Sequence, residues 1–363
     1  MVPADSSHRQ GTAPLSSTMV NTDTVSHCRL EGVPYIRNTD NEPDSPPTLH
    51  ETPSMKTASI WSAYVFALFA PVLSTAQASN LPEALLRTPI PLISAPPTSL
   101  SAYQGRQPVY LKFWATWCQP CRQQLPHFEH VQQEYGDRIA VIGINLGLED
   151  DLEAVQATTR EFGLTMPMAI DTSGDLAQNF RLVGTPYHLL FDRNMNLIHR
   201  GHDADPSLDN KLALVARAET IPALDANLLN EHESDVAIAT DDGRLHALFF
   251  TATWCDWYLA DTRPTVSKAC MAAQRTVNQL YIQKPDIAWQ GLVSRLWTAD
   301  QDLREYRKKY GVEHPIDIDR SNRLFHHYGV SELPQLILVK NGRVVARVSE
   351  FDSAEAVAAI LRQ

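Results

Sequence analysis

A four-residue word occurs twice in this chain, and it constrains the fold more than any other feature. Ala115-Thr116-Trp117-Cys118 returns as Ala252-Thr253-Trp254-Cys255, each time after an apolar, strand-like run (Val109 to Trp114, and His246 to Phe250). Further on, Ile139-Ala140-Val141-Ile142 matches Ile287-Ala288-Trp289-Gln290. Pro167 to Asp171 matches Pro315 to Asp319, and Val183-Gly184-Thr185-Pro186 matches Ser331-Glu332-Leu333-Pro334. These last three pairs share an offset of 148, whereas the cysteines are offset by 137. A constant offset over separated segments means one fold written twice, with eleven extra residues between Cys255 and Ile287 in the second copy.

Each copy begins with a strand that ends at a cysteine. A helical pattern follows, Arg122 to Tyr135 with Pro126 inside it in the first copy. Then come a buried-looking strand, a polar helix (Asp150 to Phe162, and Ala299 to Tyr310), a two-strand hairpin (Tyr187 to Asp192 and Asn196 to His199) and a last helix ending near Arg217. The alternation predicts an α/β fold, a mixed sheet with helices on both faces. Glu219 to Ala223, with Pro222, reads as linker.

The N-terminal part reads differently. Residues 1–54 are rich in Ser, Thr, Pro, Asn and Asp and lack an apolar period, so they predict disorder or a misassigned start. Met55-Lys56, the apolar run Ile60 to Leu73 and Ala76-Gln77-Ala78 have the form of a signal peptide over 55–78. The run is too short for a comfortable membrane span, so no stable span is expected after cleavage. Export leaves four cysteines, two per copy, an even number that suits an oxidising compartment. The formal net charge of −11 argues against nucleic acid and anionic membrane surfaces as partners.

The run Leu111-Lys112-Phe113-Trp114-Ala115-Thr116-Trp117-Cys118-Gln119-Pro120-Cys121-Arg122 resembles the active-site segment of the thioredoxin superfamily, and more narrowly its TlpA/ResA-like periplasmic branch. Ser99-Leu100-Ser101, Gly105 to Pro108 and the extra strand–helix unit before Pro186 also resemble that branch. The likeness covers roughly residues 92–215, with a weaker copy over about 233–363. It implies two tandem thioredoxin-like domains, 79–218 and 233–363, joined through 219–232. The first carries Cys-X-X-Cys and the second a degenerate Cys-X14-Cys.

The chemistry expected of such a site is specific. Cys118 at a helix N-terminus gains from unpaired N–H groups and the macrodipole, which favour a thiolate. It is the expected nucleophile, and Cys121 the resolving thiol. Pro120 and Trp117 flank the pair. By the resemblance, Pro186 is a cis-proline facing the cysteines, and Thr185 offers backbone groups to an extended client. Two family carboxylates are absent: the buried acid falls at Lys112, and a glutamate falls at Gln124. Lys112 is expected to pack its stem while its amine reaches water.

In the second copy Tyr258 takes the resolving position, while Cys270 nearly keeps that cysteine's place before the next strand. Cys255 and Cys270 therefore read as a pair separated by a loop, Leu259 to Lys268, with Pro334 at the cis-proline position. They suit a structural disulfide, a second redox pair, or free thiols or a metal site. His127, His130 and His188 read as packing or surface residues, and no metal or other cofactor is expected. Arg304, Glu305, Lys308 and Lys309 read as one solvated helix face, with Glu305 and Lys309 paired at i, i+4.

The expected function is an extracytoplasmic thiol:disulfide oxidoreductase, in the first place a protein-disulfide reductase. Its partners would be client proteins with thiols or disulfides and a membrane electron donor of DsbD or CcdA type. The resemblance allows a role in cytochrome c maturation. A periplasmic isomerase or oxidase is the near alternative. A redox-quiet peptide-binding or copper-handling module is the alternative of another class.

Overall fold

A computed structural model describes residues 79–229 and 236–362. The upstream stretch 1–54, the signal-peptide segment 55–78 and part of the linker lie outside these residues.

The first repeat opens with a short helix, α1 (Glu83–Arg87), and enters its central strand, β1 (Val109–Trp114). Every residue of β1 is buried, as expected of a strand covered on both faces. Then follow α2 (Gln119–Tyr135), β2 (Ala140–Asn145), α3 (Leu152–Glu161), β3 (Met168–Ile170), α4 (Asp175–Asn179), the hairpin β4 (Tyr187–Phe191) and β5 (Leu197–Gly201), and α5 (Pro206–Ala216). The strand order is β3-β2-β1-β4-β5. β1, β2 and β3 run parallel, and β4 and β5 are antiparallel to their neighbours.

The second repeat has β6 (Leu245–Thr251), α6 (Cys255–Tyr258), α7 (Pro264–Gln283), β7 (Ala288–Ser294), α8 (Asp300–Tyr310), β8 (Ile316–Asp319), α9 (Arg323–His327), β9 (Gln335–Lys340), β10 (Arg343–Val348) and α10 (Ala354–Ile360). Its order, β8-β7-β6-β9-β10, reproduces the first sheet strand for strand, with the same parallel and antiparallel pairs. The two sheets of five mixed strands are the two thioredoxin-like units that the offset predicts.

Repeated side chains explain the repeated fold. Asp171 accepts from the N–H groups of Leu176 and Ala177 (3.1 and 2.7 Å) and so caps α4. Asp319, at the 148 offset, accepts from Leu324 and Phe325 (both 2.8 Å) and caps α9. The Thr185-Pro186 and Leu333-Pro334 peptides are both cis.

Two expectations need correction. The segment Leu259 to Lys268 is not all loop: α7 begins at Pro264, a residue favoured at a first helical position because its missing N–H has no intrahelical acceptor to lose. The extra residues thus split the active-site helix into α6 and α7. Lys309 does not pair with Glu305. It reaches Asp256 (2.5 Å), whose side chain is buried and provides the stronger field, while Glu305 accepts from Gln301 (2.6 Å).

Candidate active site

Cys118 and Cys121 form a disulfide with a Cα–Cα distance of 5.2 Å. Cys118 is the N-cap of α2, and its Sγ accepts from the N–H of Cys121 at 3.2 Å. Pro120 lies in the first turn, where no N–H is needed. Such a cap stabilises negative charge on sulfur by a direct N–H bond and by the helix field. Cys255 and Cys270 are also disulfide-bonded, Cα–Cα 6.2 Å, joining the start of α6 to the middle of α7. Among the described residues no cluster of three or more His, Cys, Asp or Glu suits a metal ion, and no helix is long and apolar enough to cross a membrane.

Lys112 departs from expectation. It is fully buried, and its amine does not reach water. Nζ donates to Gln124 Oε1 at 3.1 Å and lies 5.5 Å from the Phe128 ring centre. β1 places Lys112 in the sheet interior directly opposite His188 of β4, which leaves the stem no route to the surface. Burial pulls the amine from its ordinary 10.5 down to about 7. His188 Nε2 donates to Gln124 Oε1 (2.8 Å), while its Nδ1 accepts from the Tyr110 hydroxyl (2.6 Å). That arrangement suits a neutral ring, and burial, aided by Lys112, holds the His188 pKa well below the usual value. Gln124 Nε2 continues to the His202 carbonyl (3.1 Å), and His202 Nδ1 donates to the Pro186 carbonyl (2.8 Å). A polar chain therefore runs from Lys112 beneath α2 to the cis-proline. Of the other histidines, His127 bonds Asp209 (2.7 Å) and His130 pairs with Glu134 (3.1 Å), both away from this chain.

The two repeats meet through their cysteine ends. The Trp117 and Trp254 rings stack 5.1 Å apart at 24°, and Trp297 packs edge-on against both, at 5.8 and 5.5 Å. Each stacked indole donates to the matching carbonyl of its own repeat: Trp117 to Leu148 (2.8 Å) and Trp254 to Leu296 (2.6 Å). The backbone contacts obey the same pseudo-two-fold. Trp297 N donates to Val183 O, and Glu149 N to Ser331 O, both at 2.8 Å. Glu149 and Trp297 are 148 residues apart, as are Val183 and Ser331. This is the signature of an isologous interface formed within one chain. Gly184 is required here, since a Cβ at this residue would lie 2.6 Å from Trp297 Nε1.

The segment between Cys255 and Cys270 also touches the first site. The Tyr258 hydroxyl accepts from Gln119 N (3.1 Å), and Arg263 donates to Thr116 Oγ1 (2.8 Å) and Asp150 (3.2 Å). Asp150, its side chain wholly buried, also accepts from Thr116 N and Asn145 Nδ2, both at 2.7 Å. The result is that Cys118, Cys121, Trp117 and Cys255 are inaccessible and Cys270 nearly so. Thr185 is buried as well, and its hydroxyl finds no partner among the described residues. Sequence reasoning missed Glu149, Asp150, Arg263 and Trp297. The 148 offset placed Glu149 and Trp297 at matching positions, but their side chains differ, so similarity did not mark them.

Residues 90–200 match the family model AhpC/TSA. The chain is 32% identical over 141 residues to the thioredoxin-like protein YneN of Bacillus subtilis, spanning 38% of this chain and 79% of that one. It is 27% identical over 116 residues to the thiol-disulfide oxidoreductase ResA of Bacillus cereus, covering 31% of this chain and 65% of the relative. A secreted disulfide oxidoreductase of Mycobacterium tuberculosis is 20% identical at a TM-score of 0.33, over 38% of this chain and 99% of that structure. The fold assignment rests on strand order and pairing rather than on that score. With its strand–cysteine–helix repeat, its capped Cys-X-X-Cys and this likeness to YneN, the chain belongs to the thioredoxin-like family.

Proposed function

We propose that the protein is an extracytoplasmic thiol:disulfide oxidoreductase that works through Cys118 and Cys121, in the reducing direction. The observation that carries this reading is the capped disulfide: Cys118 Sγ receives the Cys121 N–H at the start of α2. In the reduced protein the Cys118 thiolate attacks a client disulfide and forms a mixed disulfide. Cys121 then attacks Cys118, releases the client thiol and closes the internal disulfide. Trp117, Pro120, Thr185 and Pro186 shape the site, and Lys112 is the buried group beneath it. An external dithiol, for which a membrane donor of DsbD or CcdA type is the proposed source, returns the pair to the reduced state. Residues 79–218 and 233–363 act as two thioredoxin-like domains on either side of 219–232. Because the second repeat covers Cys118, client access requires the two to part.

The test is to equilibrate the protein in dithiothreitol or glutathione buffers and to map the disulfides. A Cys118–Cys121 potential near or below about −270 mV supports a reductase, whereas one near −120 mV reverses the direction to oxidation. A pair that never titrates sinks the reading.

A further inference from the structure

The second disulfide has no role in the cycle above, yet the residues around it touch the first site. All four cysteines belong to one contiguous apolar cluster, which one face of the second sheet joins through Leu248, Phe250 and Ile337, while Ala247, Phe249, Leu336 and Leu338 on its other face pack into a separate cluster. The residue before each nucleophile position, Trp117 or Trp254, stacks on its counterpart across the pseudo-two-fold. The chain bracketed by Cys255 and Cys270 contacts the first site at two points: Tyr258 on the N–H next to Cys118, and Arg263 on Thr116, two residues before Cys118. All four cysteines are shut off from solvent by this packing, so in the closed arrangement an external thiol has no direct path to either pair.

We infer that Cys255–Cys270 is an internal redox partner of Cys118–Cys121, and that the two pairs exchange electrons within the chain. The inference rests on the redox reading of Cys118. With the first pair reduced, the Cys118 thiolate attacks Cys255 Sγ. A Cys118–Cys255 bond forms, the Cys255–Cys270 bond breaks, and Cys270 leaves as a thiolate. Cys121, deprotonated, then attacks Cys118, the inter-repeat bond breaks, and Cys255 leaves. Two electrons pass from the first pair to the second, and the protons given up by Cys118 and Cys121 are balanced by those taken up at Cys255 and Cys270. The reductant that starts the cycle is any external dithiol, and the reverse sequence returns the electrons. A chain built this way stores a second reducing equivalent behind its client site.

The full chain with Cys121→Ser tests this. With no resolving thiol, Cys118 traps its partner. After incubation at mildly alkaline pH, acid quenching, alkylation and non-reducing digestion, the expected product is a Cys118–Cys255 linked peptide with Cys270 alkylated. An intact Cys255–Cys270 peptide beside alkylated Cys118 overturns the relay. Glutathione disulfide added to the same variant separates the two ideas. A Cys118–glutathione adduct without the internal link leaves the oxidoreductase reading standing and removes the relay. Absence of both removes both. A second measurement guards against misfolding of the trap: Cys118→Ser should slow dithiothreitol reduction of Cys255–Cys270 by about tenfold or more relative to wild type, since the route through the Cys118 thiolate is lost while the shielding of Cys255–Cys270 from the reagent is unchanged. Equal rates overturn the proposal.

Discussion

The two active-site helices began as copies and now differ in both the chain above the sheet and the filling beneath it. In the first repeat one helix runs unbroken from the Cys118 cap, with Pro126 inside it. In the second, extra residues split the helix, and the cysteine that pairs with Cys255 lies on the later piece. Beneath the first site lies the polar set Lys112, Gln124 and His188. At the matching places beneath the second lie Phe249, Ala273 and Leu336, all buried in an apolar cluster. The fold accepts either filling, and the apolar one is the cheaper to bury, because a buried amine must lose hydration or its proton. The ionisable group is retained only under the Cys-X-X-Cys. The comparison separates a site arranged for thiol chemistry from one in which a disulfide joins two helices, with exchange between them as the proposed link.

The largest expected effect tests that separation directly. Cys118→Ser should take disulfide reduction, measured with insulin, to the uncatalysed background, whereas Cys255→Ser should leave a measurable rate. Equal loss from both would erase the distinction. Next comes the interface. Trp297 is half-buried, so Trp297→Ala should destabilise the paired repeats by about 2–3 kcal/mol, below the usual range for a fully buried large aromatic, read from denaturant unfolding. Gly184→Ala should act by intrusion, since its Cβ needs the space of the Trp297 indole. In both variants reduced Cys118 should alkylate faster, and an unchanged rate would mean that the repeats part freely without them.

Lys112→Met should make the first repeat resemble the second and stabilise it by about 1–4 kcal/mol near pH 6, as replacing buried charge by apolar volume often does. The pH dependence sharpens this. The folded amine titrates at about 7, below its ordinary 10.5, so the unfolded chain binds more protons between these values. The destabilisation is full below about pH 7 and fades as pH rises toward 10.5. Wild-type stability should therefore gain a rising component over that window that the Met variant lacks, and parallel pH curves would refute it.

The smallest effect concerns Glu149. Burial raises its carboxyl to about 7 against the ordinary 4.5. The Leu333 N–H and Arg263 oppose the rise, and Glu332 and Asp150 add to it. A folded-state pKa above the unfolded one means that stability is full below about pH 4.5 and declines through pH 7. Hydrogen-exchange protection at the Glu149 and Trp297 amides should fall severalfold between pH 5 and 7.5, and Glu149→Gln should reduce that fall. Asp171, raised by burial to about 6, adds a decline of the same sign that the variant leaves in place.

Much of the first site was legible in one dimension because its chemistry depends on local spacing. Cys118 caps a helix because Pro120 and the following residues start one there, and Cys121 falls one turn on. Pro186 and Pro334 are recognisable by their place before a strand. Lys112 was misread for a physical reason: its type predicts a wet amine, whereas its register opposite His188 places it inside the sheet. Cys255 and Cys270 were legible as a pair, but not the helix that resumes between them.

The sequence by itself determined the doubling of the fold, the strand–cysteine–helix order and the candidate cysteines, since all are set by period and spacing along the chain. Only the tertiary structure decided that the two cysteine ends face each other. An offset of 148 says that two segments fold alike, not how they dock. Docking was decided by non-local complementarity: Trp117 against Trp254, the space at Gly184 for Trp297, and two matching backbone bonds at Val183 and Ser331. Those contacts join residues more than a hundred positions apart, where neither propensity nor periodicity carries information.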